Sequence, residues 1–172
     1  MEYGRYAKIM KNDAVDGNGL CVSLWVQGCP FQCKGCHNEE LWNFDGGQPF
    51  TEDTVEEILQ AINSHNVRRN FSVLGGEPLT PTNEVMVEKA VKAVRERYPN
   101  IEIIIWTGFT YAQLQKRINN DMVLKSILNN CNYLIDGQFE LDKRDITLKW
   151  RGSPNQNIWK KENGKWRCLT NG

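Results

Sequence analysis

A single α/β domain built on parallel strands is the fold that this sequence predicts. Short runs rich in β-branched and aromatic residues alternate with segments whose apolar residues recur at helical spacing. The length of 172 residues is enough for one core of ordinary size and too short for two comfortable ones. Alternation of this kind winds into right-handed βα units, as either an open doubly wound sheet or an incomplete barrel.

The elements follow in order. Residues 20–28, LCVSLWVQG, lie between two glycines and suit a mostly buried strand. Thr51 can cap a helix whose first turn holds Glu52 and Asp53, with Val55, Ile58, Leu59 and Ile62 on one face. A second strand, FSVL at 71–74, stops at Gly75-Gly76. The next helix follows Pro81, repeats its apolar spacing at Val87, Ala90, Val91 and Val94, and cannot pass Pro99. IEIIIW at 101–106 is a third strand, apolar enough for helices on both faces or for a barrel interior on one. Thr110 opens a helical region through Leu114 and Ile118, then 122–128, and NYLI at 132–135 is a fourth strand ending at Asp136-Gly137. From about 138 the chain is polar and rich in tryptophan, with a turn expected at 152–155 and a hairpin through Ile158 and Trp159. No repeat or linker divides residues 1–172, so one domain is expected.

Lys and Arg total 21 and Asp and Glu total 21, so no net field draws the chain to nucleic acid or to a membrane surface. MEYGRYAKIM lacks the pattern of a secretory signal, and no apolar run reaches the ~18 residues of a membrane span. A cytoplasmic protein is expected, and in a reducing compartment clustered cysteines read as metal ligands or redox groups.

Cys29, Cys33 and Cys36, spaced C-x3-C-x2-C, form such a cluster. Pro30 and Gly35 disfavour a helix there, so the segment reads as a loop wrapped around a centre. Structural zinc would want a fourth ligand and usually a second knuckle, which this chain lacks. An iron–sulfur cluster with one iron left open for a substrate is the other reading, and spacing alone leaves both available. In either α/β arrangement the working edge is at the C-terminal ends of the strands, where Cys29, Gly75-Gly76-Glu77, Thr107-Gly108 and Asp136-Gly137 fall. Gly75 and Gly76 would let backbone approach a ligand closely, and Glu77 offers an acceptor for a cationic ammonium.

C-x3-C-x2-C after the first strand and GGEP at 75–78 after the second resemble the radical S-adenosylmethionine enzymes. That resemblance implies an incomplete parallel (βα) barrel and one 4Fe-4S cluster held by Cys29, Cys33 and Cys36. It further implies S-adenosylmethionine as co-substrate on the open iron, cleaved to a 5′-deoxyadenosyl radical. The position before the last cysteine is often aromatic in that superfamily and supports the adenine. Here it is Gly35, so the adenine contact is expected from the backbone of Gly35 to His37 or from the ring of His37. Thr107 and Asp136 are candidate contacts to S-adenosylmethionine from the strand ends.

The blocks VDGNGLCVSLWVQGC, CHNEELW, GGQPFT, GGEPLTP, IWTGFTYAQL, YLIDGQFE and WRGSPNQNIW are similar to the activases of anaerobic ribonucleoside-triphosphate reductase. This resemblance implies an oxidoreductase that takes a hydrogen from a glycine of the large reductase subunit, leaving a glycyl radical, with a one-electron donor such as flavodoxin. No catalytic acid or base is then needed beyond the cluster and its co-substrate, in keeping with only two histidines in the chain. CHN at 36–38 is shared with the pyruvate formate-lyase activase, which is the nearest alternative. A radical enzyme acting on a small molecule and a zinc-stabilised binding module complete the set. Arg151, Asn155 and Gln156 have no assignable role beyond a hairpin turn.

Overall fold

The computed structural model describes residues 1–170. In chain order the elements are β1 (Gly4–Asp13), β2 (Cys21–Val26), β3 (Gln48–Phe50), α1 (Glu52–Ile62), β4 (Asn70–Gly75), α2 (Pro81–Arg97), β5 (Ile103–Trp106), α3 (Tyr111–Arg117), α4 (Met122–Asn129), β6 (Tyr133–Asp136), β7 (Asn157–Glu162) and β8 (Lys165–Cys168). They build one mixed sheet among the described residues, in the order β3-β1-β2-β4-β5-β6-β7-β8.

Its middle is parallel and follows the chain: β2 pairs with β4, β4 with β5 and β5 with β6. These are the strands expected from sequence, and because their order climbs without reversing, right-handed crossovers put the connecting helices on a single face. A doubly wound sheet would need a reversal. Antiparallel strands flank this centre: β1 with β3 beyond β2, which the sequence reading did not predict, and beyond β6 the β7-β8 hairpin, the one expected through Ile158 and Trp159. The sheet does not close, and β3 and β8 are its edges. β1 escapes a sequence reading because GRYAKIMKND buries only Tyr6 and Asp13, too sparse for an alternating pattern.

The helices form where the caps predict. Thr51 and Thr54 reciprocate at the start of α1, with the Thr51 N–H donating to Thr54 Oγ1 at 3.0 Å. Thr110 and Gln113 do the same for α3, at 2.9 and 3.2 Å, and Asp121 accepts from the Leu124 N–H at 3.0 Å to cap α4. Pro81 begins α2, which ends at Arg97 ahead of Pro99.

The strands bury both faces, for different reasons. Val22, Leu24, Phe71, Val73, Ile103, Ile105 and Leu134 meet the helices in the main core, each contributing about 1.5–3 kcal/mol by burial. On the other face Ile104, Tyr133, Ile135 and Ile158 form a smaller cluster with Trp106 and Trp150. Loops rather than helices cover that second face. Residues 13–19 lie over β4, with Ser72 Oγ donating to the Asp16 carbonyl at 2.6 Å, and Trp106 Nε1 donates to the Trp150 carbonyl at 2.8 Å. Among the described residues, no helix is long and apolar enough to cross a membrane.

Candidate functional site

The cysteine loop leaves the end of β2 and returns upon itself. The N–H groups of Gly28 and Cys29 donate to the carbonyls of Leu41 and Trp42 at 2.7 and 3.2 Å. Gln27 reaches across with Nε2 to the Glu40 and Asn43 carbonyls at 3.2 and 2.8 Å, closing the neck of the loop. Within it Cys29, Cys33 and Cys36 are free, partly exposed thiols.

Each of the three sulfurs faces backbone N–H groups. Those of Phe31 and Gln32 point to Cys29, that of Phe139 points to Cys33, and the Asn38 N–H lies 3.4 Å from Cys36 Sγ. Burial pushes the Cys29 and Cys33 thiols up from their ordinary range, and the amides oppose that shift by favouring thiolate. Hydrogen bonds to sulfur are how a protein tunes a cluster held by cysteines, so this donor set fits a 4Fe-4S centre. Among the described residues no three His, Cys, Asp or Glu side chains converge as one shared ion would require. A cluster needs no such convergence, because each thiolate binds a different iron.

The Gly-Gly-Glu turn after β4 is locked to the start of this loop. Gly76 N–H donates to the Val26 carbonyl at 2.9 Å and Glu77 N–H to the Gly28 carbonyl at 2.8 Å. A Cβ on Gly76 would lie 2.4 Å from the Gly28 oxygen, so close passage of two backbones demands glycine there whatever binds above. Asn83, at the start of α2, ties the joint by donating to the carbonyls of Gly28 and Glu77 at 3.2 and 2.9 Å.

Glu77 is 2 % exposed and binds the end of β4 to the end of β5. Its Oε2 accepts from Leu79 N–H at 2.8 Å and Thr107 Oγ1 at 2.7 Å, and its Oε1 from Gly108 N–H at 2.6 Å. Burial lifts its carboxyl to about 7, against the pull of these three donors. A cation seated beside it would complete the compensation, and Glu77 does line a cleft with Cys29, Cys33, Gly76, Thr107 and Gln138.

The remaining candidates separate. Thr107 lines the cleft and spends its hydroxyl proton on Glu77. Asp136 is 4 % exposed and commits both oxygens to structure, Oδ2 to the first N–H of α3 (Tyr111) at 2.7 Å and Oδ1 to Asn157 N–H at 3.1 Å. His37 is exposed, with its ring 6.1 Å from that of Phe139, and it borders a second cleft together with Asp16, Trp106 and Trp150. Gly35 lies at φ +77° beneath Leu141.

Sequence reading missed the far wall of the cleft. Gln156 Oε1 accepts from the N–H groups of Gly152 and Ser153 at 2.8 and 3.2 Å, while its Nε2 donates to the Gly137 carbonyl at 3.0 Å. Asn155 Nδ2 donates to the Gln138 carbonyl at 2.7 Å, and Arg151 Nη1 donates to the Gln156 carbonyl at 3.0 Å. These three residues therefore staple the 152–156 turn to the segment leaving β6. For Asn155 and Gln156 the signal was present in the sequence as uncharged amides adjacent in one turn, which is what a turn needs to satisfy neighbouring backbone.

The family described as a 4Fe-4S single cluster domain matches residues 15–159. The chain is similar to the anaerobic ribonucleoside-triphosphate reductase-activating protein of Pasteurella multocida, 38% identical over 90% of this chain and 96% of the relative. It is also similar to the proteins of that name from Escherichia coli K12, 34% identical over 91% and 96%, and from Enterobacteria phage T4, 33% identical over 94% and 97%.

Proposed function

The chain belongs to the family of anaerobic ribonucleoside-triphosphate reductase-activating proteins and carries a 4Fe-4S single-cluster domain, and from that premise we propose that it installs a glycyl radical on the large subunit of that reductase. Three free thiols on one loop, each facing backbone N–H donors and joined to a Gly-Gly-Glu turn, carry the reading. When bound, the cluster supplies one electron to cleave S-adenosylmethionine, whose deoxyadenosyl radical takes the glycine hydrogen.

The residues of this chain supply position and shielding. Cys29, Cys33 and Cys36 would hold the cluster, each through one iron. Glu77, with Thr107 and Gly108 orienting its carboxylate, presents negative charge to the ammonium of S-adenosylmethionine, and the backbone of Gly75 and Gly76, which passes β2 and its loop too closely for a Cβ, borders it. The backbone from Gly35 to His37 borders the adenine. Asp136 serves this site indirectly, by fixing α3 against β7. The parallel run β2-β4-β5-β6 acts as the core of an incomplete barrel whose inner face bears the chemistry. The one-electron donor is a flavodoxin-type protein of the cytoplasm.

Anaerobic reconstitution with iron and sulfide, followed by S-adenosylmethionine, a reductant and the large reductase subunit, should give a glycyl doublet in electron paramagnetic resonance. A doublet only with pyruvate formate-lyase would move the assignment to the sister activase, whose Cys-His-Asn sequence this chain shares at 36–38. Stoichiometric zinc in a colourless protein that never cleaves S-adenosylmethionine would sink the enzyme reading.

A further inference from the structure

The segment leaving β6 touches the cysteine loop at several points. Phe139 N–H points to Cys33 Sγ, and Gln138 Oε1 lies 3.8 Å from the same sulfur. Two residues further on, Leu141 lies over the loop between Cys33 and Cys36. A Cβ at Gly35 would stand 2.7 Å from Leu141 Cδ1 and 3.2 Å from both Cδ2 and Cγ, so the absence of a side chain at 35 is what lets the leucine settle there. Leu141 is on a single turn of 3-10 helix and keeps 38% of its surface exposed, with its inner side packed against Gly35.

The segment is also fastened. Glu140 N–H donates to Ser153 Oγ at 3.1 Å, and the carbonyls of Gly137 and Gln138 accept from Gln156 and Asn155 at 3.0 and 2.7 Å. A hydrophobic residue packed on Gly35, between Cys33 and Cys36 in the chain, limits water access to that stretch of the loop, and solvent access is one of the terms that sets a cluster's potential and lifetime.

We propose that Leu141 is a positioning residue for the cluster, the apolar cover of the cysteine loop, seated on Gly35 and held there by the turn at 152–156. This rests on the reading that Cys29, Cys33 and Cys36 hold the cluster. The test compares reconstituted wild type with Leu141→Ala, Leu141→Met and Met122→Ala, the last an exposed residue of α4 (72% exposed) that serves as control. Two readouts are taken without turnover: the rate at which a ferrous chelator bleaches the cluster, and the midpoint potential. Leu141→Ala should bleach severalfold faster and shift the potential upward, because water stabilises the more negative reduced cluster. Leu141→Met should restore both, and Met122→Ala should match wild type. If Leu141→Ala bleaches and titrates like wild type, or changes only S-adenosylmethionine affinity, the cover does not exist. A wild-type chain that retains no iron would instead overturn the cluster reading, and this inference with it.

Discussion

Glu77 shows how one residue serves both fold and site. Its carboxyl has an ordinary value of 4.5 and is lifted to about 7 by burial, so between those values the folded chain binds the extra proton. Stability from this group is therefore greatest at low pH and declines as pH rises towards 7, by at most about 3 kcal/mol. The melting temperature of the cluster-free protein should lose that slope in Glu77→Gln, measured from pH 4.5 to 7 by circular dichroism; parallel curves would contradict it. The thiols make a sharper prediction. Cys29→Ala, Cys33→Ala or Cys36→Ala should each abolish the visible absorbance of the reconstituted cluster, while Cys21→Ala, a buried cysteine at the far end of β2, should keep it. The ligand candidates were legible in the sequence because their spacing is local. That Glu77 is fully hydrogen-bonded was not legible, since Thr107 and Gly108 lie about thirty residues away and only the parallel pairing of β4 with β5 brings them together.

At the scale of elements, two joints hold the site. The first is the passage of Gly76 across Gly28. Gly76→Ala sets a carbon 2.4 Å from a backbone oxygen that cannot swing aside, so a loss of about 2 kcal/mol or more and a displaced cysteine loop are expected, read by denaturant melting and by reduced iron uptake. The second is the turn at 152–156. Gln156→Ala removes four side-chain hydrogen bonds and leaves buried partners unmet, a loss of about 1–3 kcal/mol by the same melt. Helix starts were legible because caps are written within four residues: Thr51, Thr110 and Pro81 all stand where the helices begin. β1 and β3 were not, because their partners are supplied by β2 and by each other rather than by any pattern of their own.

For the whole molecule, the parallel centre and the antiparallel flanks have different jobs. β2, β4, β5 and β6 bring the cysteine loop, Glu77, Thr107 and the 137–141 segment to one edge, while β7 covers the open side of β6. Ile158 of β7 is 5 % exposed, and Trp159 stacks on Tyr111 with ring centroids 4.0 Å apart, so the hairpin is part of the core. A chain ending at residue 150 keeps every cysteine of the loop and the whole Gly-Gly-Glu turn, yet it should show no cooperative thermal transition. A sharp melt from that fragment would mean the flank is dispensable.

The sequence by itself determined the βα alternation and the helix caps, which are set by contacts between near neighbours, and it marked the three-cysteine loop and the Gly-Gly-Glu turn by local spacing, although long-range bonds from Gly76 and Glu77 to Val26 and Gly28 lock the two together. Only the tertiary structure decided which carboxylates remain available, since Asp136 is consumed by α3 and β7 and Glu77 is oriented by Thr107 and Gly108. It also decided what covers the loop opened at Gly35. Leu141 is more than a hundred residues away along the chain, and nothing in local pattern couples the two. Sheet pairing makes them neighbours.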